Sequence, residues 1–297
     1  MASRSIANDM EIAMSEYDEK TLKKVQAVEL GILKDFVRLC DENNITYFGI
    51  AGTGIGALRH KGFIPWDDDI DVAMPREDHD RFVKIAKEQY ADKYYVLNGL
   101  EDSNYPLLTT RWILKGTEFI EEPLKNINCH FGIFLDIYPL DKIPDDEKLF
   151  RKQARKAFFW SKLLILRSIP YPVLAFKGWK AKLVHAICAV VHALMVVFRV
   201  SKKWLYRKCL EISTQYNYLE STKRIDFLCD TTAYMNIHST DGMFPLVEYD
   251  FEDIKLKFPG NIKENLTLAY GDYMTLPPED KRKNHYPYKL TFPADMV

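Results

Sequence analysis

The stretch GFIPWDDDIDVAMP (residues 62–75) places four aspartates in five positions, between a Pro-Trp pair and an apolar run. In an extended chain, side chains at i and i+2 share a face, about 6.7 Å apart. That spacing points Asp67, Asp69 and Asp71 one way while Ile70 and Val72 enter the core. Two carboxylates about 5 Å apart repel by about 3 kcal/mol at an effective dielectric near 20. A fold that gathers three of them needs a counter-ion or raised pKa values. Oxygen-only donors with no neighbouring Cys point to a hard cation, Mg2+ or Mn2+. An EF-hand is excluded, because its Gly and Glu are missing at the required offsets. The plainer alternative is a solvated acidic loop; Pro65-Trp66 and the alternating Ile70 and Val72 weigh against it.

Working outward, HFGIFLDIYPLD (130–141) carries Asp136 inside an otherwise apolar strand. An isolated ionised group there is costly, so Asp136 either shares the cation or is a hydrogen-bonded structural residue. Upstream, ITYFGIAG (45–52) reads as a buried strand closed by a turn at Gly52-Thr53-Gly54. DIDVAM (69–74) reads as a strand with one wet face. Helical periodicity covers 18–41 and the segment after Pro75. Further strands are expected at 94–97, 107–114 and 132–138, a hairpin in 243–261 and a short helix after it. Strands mixed with helices, without a regular βαβ rhythm, indicate an α+β or mixed α/β catalytic part. Two acidic strands behind a Gly-Thr turn suit phosphoryl or nucleotidyl transfer, with a third carboxylate to orient or deprotonate a hydroxyl.

The chain of 297 residues is near neutral, with 41 Lys+Arg against 42 Asp+Glu, yet the charge is segregated. Lys148–Leu210 holds fifteen Lys or Arg and no acid, leaving 26 positive and 42 negative side chains elsewhere. The same segment is rich in large apolar residues, and Leu183–Phe198 is interrupted only by His185 and His192. As a helix that run reaches about 24 Å, short of the roughly 30 Å hydrocarbon core. Pro170 and Pro172 break the preceding apolar stretch, so two or three short helices are expected. They form either a buried hairpin or a platform on an anionic membrane face, where each nearby Lys or Arg gains about 1 kcal/mol. The absence of every acid favours the platform, and the dense aliphatic content argues against nucleic acid. Five unpatterned cysteines and a polar N-terminus without an apolar leader fit a reducing cytosol, hence a cytoplasmic protein peripherally attached to the inner membrane face. The apolar content of 47% excludes a disordered chain.

The run GTGIGALRHKGFIPWDDDIDVAMPREDHDRF resembles the LicD family of phosphocholine transferases, with its Gly-Thr, Arg-His-Lys-Gly and Pro-Trp-Asp-Asp-Asp-hydrophobic-Asp elements. HFGIFLDIYPLD is similar to the family's second motif, and MFPLVEYDFEDIKLKFPGNIKENLTLAYGDYMTLPPEDKRKNH to its C-terminal signature. The resemblance implies an α+β, nucleotidyltransferase-like mixed sheet flanked by helices, related to the fukutin-related sugar-phosphate transferases. It divides the chain into a catalytic core at 1–145, a basic apolar helical insertion at 146–215, and a part completing the catalytic domain at 216–297. It implies metal ligation by Asp69, Asp71 and Asp136, with Asp67 or Asp136 as base. The implied reaction moves phosphocholine from CDP-choline to a sugar hydroxyl of a lipid-linked glycan, of teichoic-acid or lipopolysaccharide type, releasing CMP. Ribitol or glycerol phosphate from a CDP donor is the alternative within the superfamily, and a catalytically silent membrane scaffold is the alternative outside it.

Gly52 and Thr53 are candidates to bind the donor phosphates, and Arg59, His60 and Lys61, which precede the acidic run, read either as a solvated turn or as ligands for the same phosphates. Arg111 suits bidentate phosphate contact, or is an edge-strand charge. His130 is a pocket residue or a satisfied structural histidine. Lys281, Arg282 and His285 are candidates to close over the donor, and Trp66, Trp112 and Tyr138 offer aromatic faces for a choline head.

Overall fold

The computed structural model describes residues 17–174, 176–229, 237–282 and 284–293, so most of the polar N-terminus lies outside the described residues. The N-terminal half runs α1 (Glu19–Glu42), β1 (Phe48–Gly49), α2 (Ala51–His60), β2 (Asp71–Pro75), α3 (Arg76–Gln89), β3 (Tyr94–Leu97), β4 (Thr110–Leu114), β5 (Glu118–Ile120) and β6 (Phe134–Lys142). Three helices follow: α4 (Glu147–Ser168), α5 (Trp179–Val197) and α6 (Lys202–Ser213). The chain then forms β7 (Arg224–Asp226), β8 (Ile237–Ser239), a hairpin of β9 (Val247–Phe251) and β10 (Ile254–Phe258), α7 (Ile262–Tyr270) and β11 (Lys289–Thr291).

The main sheet has the order β1-β2-β6-β4-β3, with β7 also on β6 and β8 on β7. All its pairings are antiparallel except that of β2 with β6. Alternation along β2 explains why the sheet is covered on both sides. Val72 and Met74 join the core built on Leu33 and Phe36 of α1 and Phe82 of α3. Ala73, between them, joins a second core with Phe150 and Ala157 of α4 and Leu205 and Cys209 of α6. The result is a mixed α/β fold, a central sheet between helical layers, as nucleotidyltransferase-like folds are built. Side-chain caps start the long helices: Asp18 accepts from the Thr21 N–H, and Asp146 from that of Leu149, each at 2.9 Å.

Several boundaries differ from the sequence reading. Gly52-Thr53-Gly54 is the first turn of α2, not a turn closing a strand, and only two residues of 45–52 pair as strand. Ala51 enters that helix at a φ of 46°, a left-handed conformation that costs a β-carbon-bearing residue roughly 1–2 kcal/mol. Gly56 is required by a close approach: a β-carbon there would lie 2.3 Å from the Gly62 carbonyl oxygen. The basic segment forms three helices with Pro170 and Pro172 between the first two, but α4 spans 22 residues and is not short. The segment is neither wholly buried nor wholly exposed. The inner faces of α4 and α6 are buried against the sheet, whereas α5 keeps little of its surface inside the structure.

The far ends of the parallel strands are tied by a buried ion pair. Arg76, opening α3, donates to both oxygens of Asp141 on β6 at 2.9 and 2.7 Å, and Asn217 donates to the same carboxylate at 2.6 Å. Asp141 is 1% exposed, so removing its partner leaves a desolvated charge. Arg76→Leu is expected to destabilise the protein by about 3–5 kcal/mol, read as a lowered denaturant midpoint.

Candidate active site

β2 and β6 run parallel in a register that pairs Asp71 with Asp136, and β4 pairs Arg111 with Asp136 from the other side. The acidic run reaches β2 as an extended loop rather than as strand. Helix α1 supports that loop: the Gln26 amide donates to the Asp67 carbonyl at 2.8 Å. Thr53, buried in the first turn of α2, accepts the Asp71 N–H at 2.8 Å. Gly52 lies so close that a β-carbon there would come 2.9 Å from Asp67 Oδ2, so any side chain would displace that carboxylate.

Asp69, Asp136, Arg111, Tyr138 and His285 line one cleft of about 240 Å3, together with Glu121, Thr109, and Ser161 and Ile165 of α4. Arg111 is not held open for phosphate as the sequence allowed. It is buried, donates to Glu121 Oε2 at 2.6 Å, lies 3.6 Å from Asp136 Oδ1, and stacks 3.8 Å over the Phe134 ring. The His285 backbone N–H donates to Asp68 Oδ1 at 2.7 Å, and its Nδ1 lies 3.2 Å from Asp69 Oδ2. The tail therefore does reach the acids, through His285. Arg59 and His60 sit beside the loop in another cluster: Arg59 donates to His60 Nε2 and to the Tyr273 carbonyl, and its guanidinium and that of Arg282 approach the Trp66 ring. Lys61 is the left-handed C-cap of α2, and its carbonyl accepts the Glu252 N–H. His130 stacks on Tyr95 at 5.3 Å outside this cleft, and Trp112 is wholly buried in the core.

The electrostatics follow from crowding. Burial, then Asp69, pushes Asp67 up to about 9. Burial, then Asp69 and Asp136, raises Asp71 well above the carboxylate range. Burial raises Asp136 to about 6 although Arg111 opposes it. Asp69 is raised by burial against the pull of His285. His285 in turn is lifted to about 10, first by its contact with Asp68 and then by Asp69.

Sequence reasoning missed three participants. Asp68, assigned to neither face of the run, is wholly buried and accepts from Tyr17 and His285. Glu121 bridges the cleft to Arg111. Glu29 of α1 is 1% exposed, its two oxygens have no hydrogen-bond partner, and burial and then Asp69 raise its pKa strongly. A signal for Glu29 was present, since it lies on the apolar stripe between Val25 and Ile32.

The donor chemistry suits a hard divalent cation: the carboxylates are oxygen-only, mutually repelling, and Asp136 Oδ1 is buried without a hydrogen-bond partner. Among the described residues, no group of three or more His, Cys, Asp or Glu side chains is already arranged to hold a metal ion. Raised carboxylate pKa values mean that the folded protein binds protons the unfolded chain releases. This stabilisation is complete below about pH 4 and is lost as pH rises through about 6 for Asp136 and about 9 for Asp67. In chelator, the melting temperature is expected to fall by about 5–10 °C between pH 5 and 9, and added Mg2+ to flatten that slope; scanning calorimetry across pH checks it.

Comparison with known proteins agrees with this geometry. Residues 44–156 match the family described as LicD/FKTN/FKRP, nucleotidyltransferase domain, a span that contains Thr53, the acidic run, Arg111 and Asp136. The chain is 30% identical over 281 residues to the lipopolysaccharide cholinephosphotransferase LicD of Haemophilus influenzae, covering 90% of this chain and 96% of that one. Uncharacterised proteins of Rickettsia typhi and Rickettsia prowazekii are 44% and 47% identical over 57 residues, 19% of this chain in each case and 18% and 21% of theirs. Near full-length similarity, together with the paired acidic strands, shows that the chain belongs to the LicD family of nucleotidyltransferase-like phosphotransferases, which act on sugar or polyol acceptors.

Proposed function

We propose that this protein transfers phosphocholine from CDP-choline to a sugar hydroxyl of a lipid-linked cell-surface glycan precursor, of the teichoic-acid or lipopolysaccharide kind, releasing CMP. The observation that carries the choice of head group is the near full-length similarity to the Haemophilus influenzae protein, whose name assigns it cholinephosphate transfer to lipopolysaccharide. Asp69, Asp71 and Asp136 are the residues that would hold Mg2+ or Mn2+; when bound, the ion supplies charge neutralisation at the pyrophosphate. Asp136, raised only to about 6 and so ionised near neutral pH, takes the proton of the acceptor hydroxyl, and Asp67 is the competing base where a bound cation keeps it ionised. The acceptor oxygen then bonds to the phosphorus bearing choline, the bond from that phosphorus to the bridging oxygen breaks, and CMP leaves with the electron pair. Gly52 and Thr53 keep the acidic loop in place. Arg59 and Lys61 are the cations assigned to the donor phosphates, with His60, held below its ordinary range by burial and by Arg59, as a neutral partner beside them, since Arg111 is committed to Glu121 and Asp136. Tyr138 in the cleft, and Trp66 beside Arg59 and Arg282, are the aromatic faces assigned to choline. His130, stacked on Tyr95, is left outside this assignment.

In the same reading, 1–145 and 216–297 form the catalytic part, and 146–215 attaches it peripherally to the anionic cytoplasmic face of the membrane. Support comes from α5, which by length and composition alone is apolar enough to cross a membrane. Leu183, Ile187, Val190, Leu194 and Val197 recur on it at helical spacing and are all at least 51% exposed, with Lys177, Lys180 and Lys182 exposed at one end and Arg199 and Lys203 at the other.

Two measurements test these assignments. With Mg2+ and a glycan acceptor, CMP release is expected from CDP-choline and not from CDP-ribitol or CDP-glycerol, and Asp69→Asn, Asp71→Asn or Asp136→Asn is expected to lower it by about 100-fold or more. Release from CDP-ribitol or CDP-glycerol alone would reassign the head group, and no release from any donor would leave the scaffold reading. Sedimentation with anionic vesicles is expected to drop on Ile187→Asp with Leu194→Asp, both on the exposed face; unchanged sedimentation would place membrane attachment elsewhere.

A further inference from the structure

A second cavity of about 710 Å3 lies beside the catalytic cleft, between the C-terminal half of α4, the 169–174 connection and α5. Its walls are mostly apolar, including Leu124, Leu166, Ile169, Val173 and Leu174, with Cys188 on the α5 side. Leu107, Glu121 and Ile165 line both this groove and the cleft that holds Asp69 and Asp136, so the two adjoin at those three side chains. The groove is held open by specific bonds. His192 Nδ1 meets the Leu166 carbonyl at 2.8 Å, and His185 Nε2 meets the Pro172 carbonyl at 3.0 Å, fixing α5 at a set distance from α4 and the connection. The two histidines, seven residues apart in an apolar helix, thereby have a purpose that metal binding does not supply.

We infer that this groove binds a single hydrocarbon chain of the acceptor, with the chain's polar head directed past Glu121 into the cleft. The assignment rests on the proposed transfer to a lipid-linked glycan, and it locates where that lipid lies. A soluble polar substrate gains nothing from walls of Leu, Ile and Val, whereas a hydrocarbon is stabilised in proportion to the apolar area it buries. The volume is within the roughly 300–1,000 Å3 of small-molecule sites. One end lies at Val173, which is 84% exposed, beside the exposed apolar α5, and the other at Glu121, which also lines the cleft of Asp69 and Asp136. An amphiphile whose tail comes from a bilayer and whose head must reach Asp69 and Asp136 fits both ends.

Cys188 is a built-in reporter that does not depend on turnover. Cys40, Cys209 and Cys229 are buried, and burial followed by Asp102 pushes Cys129 up to about 12, leaving Cys188 as the reactive thiol. The probe is decyl phosphate, added to the full-length protein below its micelle concentration. Alkylation of Cys188, followed by peptide mass spectrometry, is expected to slow by about tenfold at roughly ten times the dissociation constant of the probe. Val173→Asp, at a site too exposed to threaten folding, and Ile169→Asp are expected to abolish that protection. Unchanged alkylation, protection by phosphocholine alone, or protection that survives in a folded Val173→Asp variant would each overturn the groove assignment. Because no donor or turnover is involved, these outcomes are independent of whether CDP-choline is the substrate.

Discussion

Parallel pairing of β2 with β6 sets Asp71 opposite Asp136, and much of the molecule is arranged around that repulsion. Both strands are central, so neither carboxylate can relax by fraying at an edge. Thr53 pins the backbone of Asp71, Gln26 pins that of Asp67, and Arg111 is drawn into the interior beside Asp136. Such a constellation costs folding energy, and it persists because hydrophobic burial on both faces of the sheet is large enough to hold it.

Much of this was legible from the chain. The strand at the acidic run is signalled by alternating Ile70 and Val72, Asp136 by its isolation in an apolar run, the strand at 94–97 by its run of aromatic and aliphatic residues, and the helix of α1 by its apolar stripe. What could not be read was partnership across the chain. Arg111 looked like a phosphate ligand because its carboxylate neighbours, Glu121 and Asp136, are ten and twenty-five residues away in sequence and their contact depends on strand register. Asp68 escaped because the alternation of the run gives it no role, and its partners Tyr17 and His285 are far from it in sequence on either side. His130 opens the second motif in sequence, yet it lies in the loop before β6 and stacks on Tyr95, outside the cleft. Gly52-Thr53-Gly54 was taken for a turn because glycine pairs usually mark one, whereas here tertiary packing over Asp67 selects a helical start.

The helical segment is best understood through its two faces. Its apolar inner side completes the sheet's second core, and Ser161 and Ile165 form part of the wall around the acids. Its outer helix presents aliphatic side chains between basic ends. One stretch of sequence thereby joins the environment of the chemistry to whatever the outer surface rests on, so displacement of α4 alters both.

His285 brings positive charge to Asp68 and Asp69 from 217 residues downstream of Asp68. On the ribosome, the acids emerge long before their cation is translated. The anionic loop and its neutralising imidazolium are thus brought together only by a contact of very large sequence separation. Detaching the segment that carries His285 would leave Asp68 and Asp69 without that positive charge, so the shape of the acidic loop is tied to the docking of a distant stretch of chain.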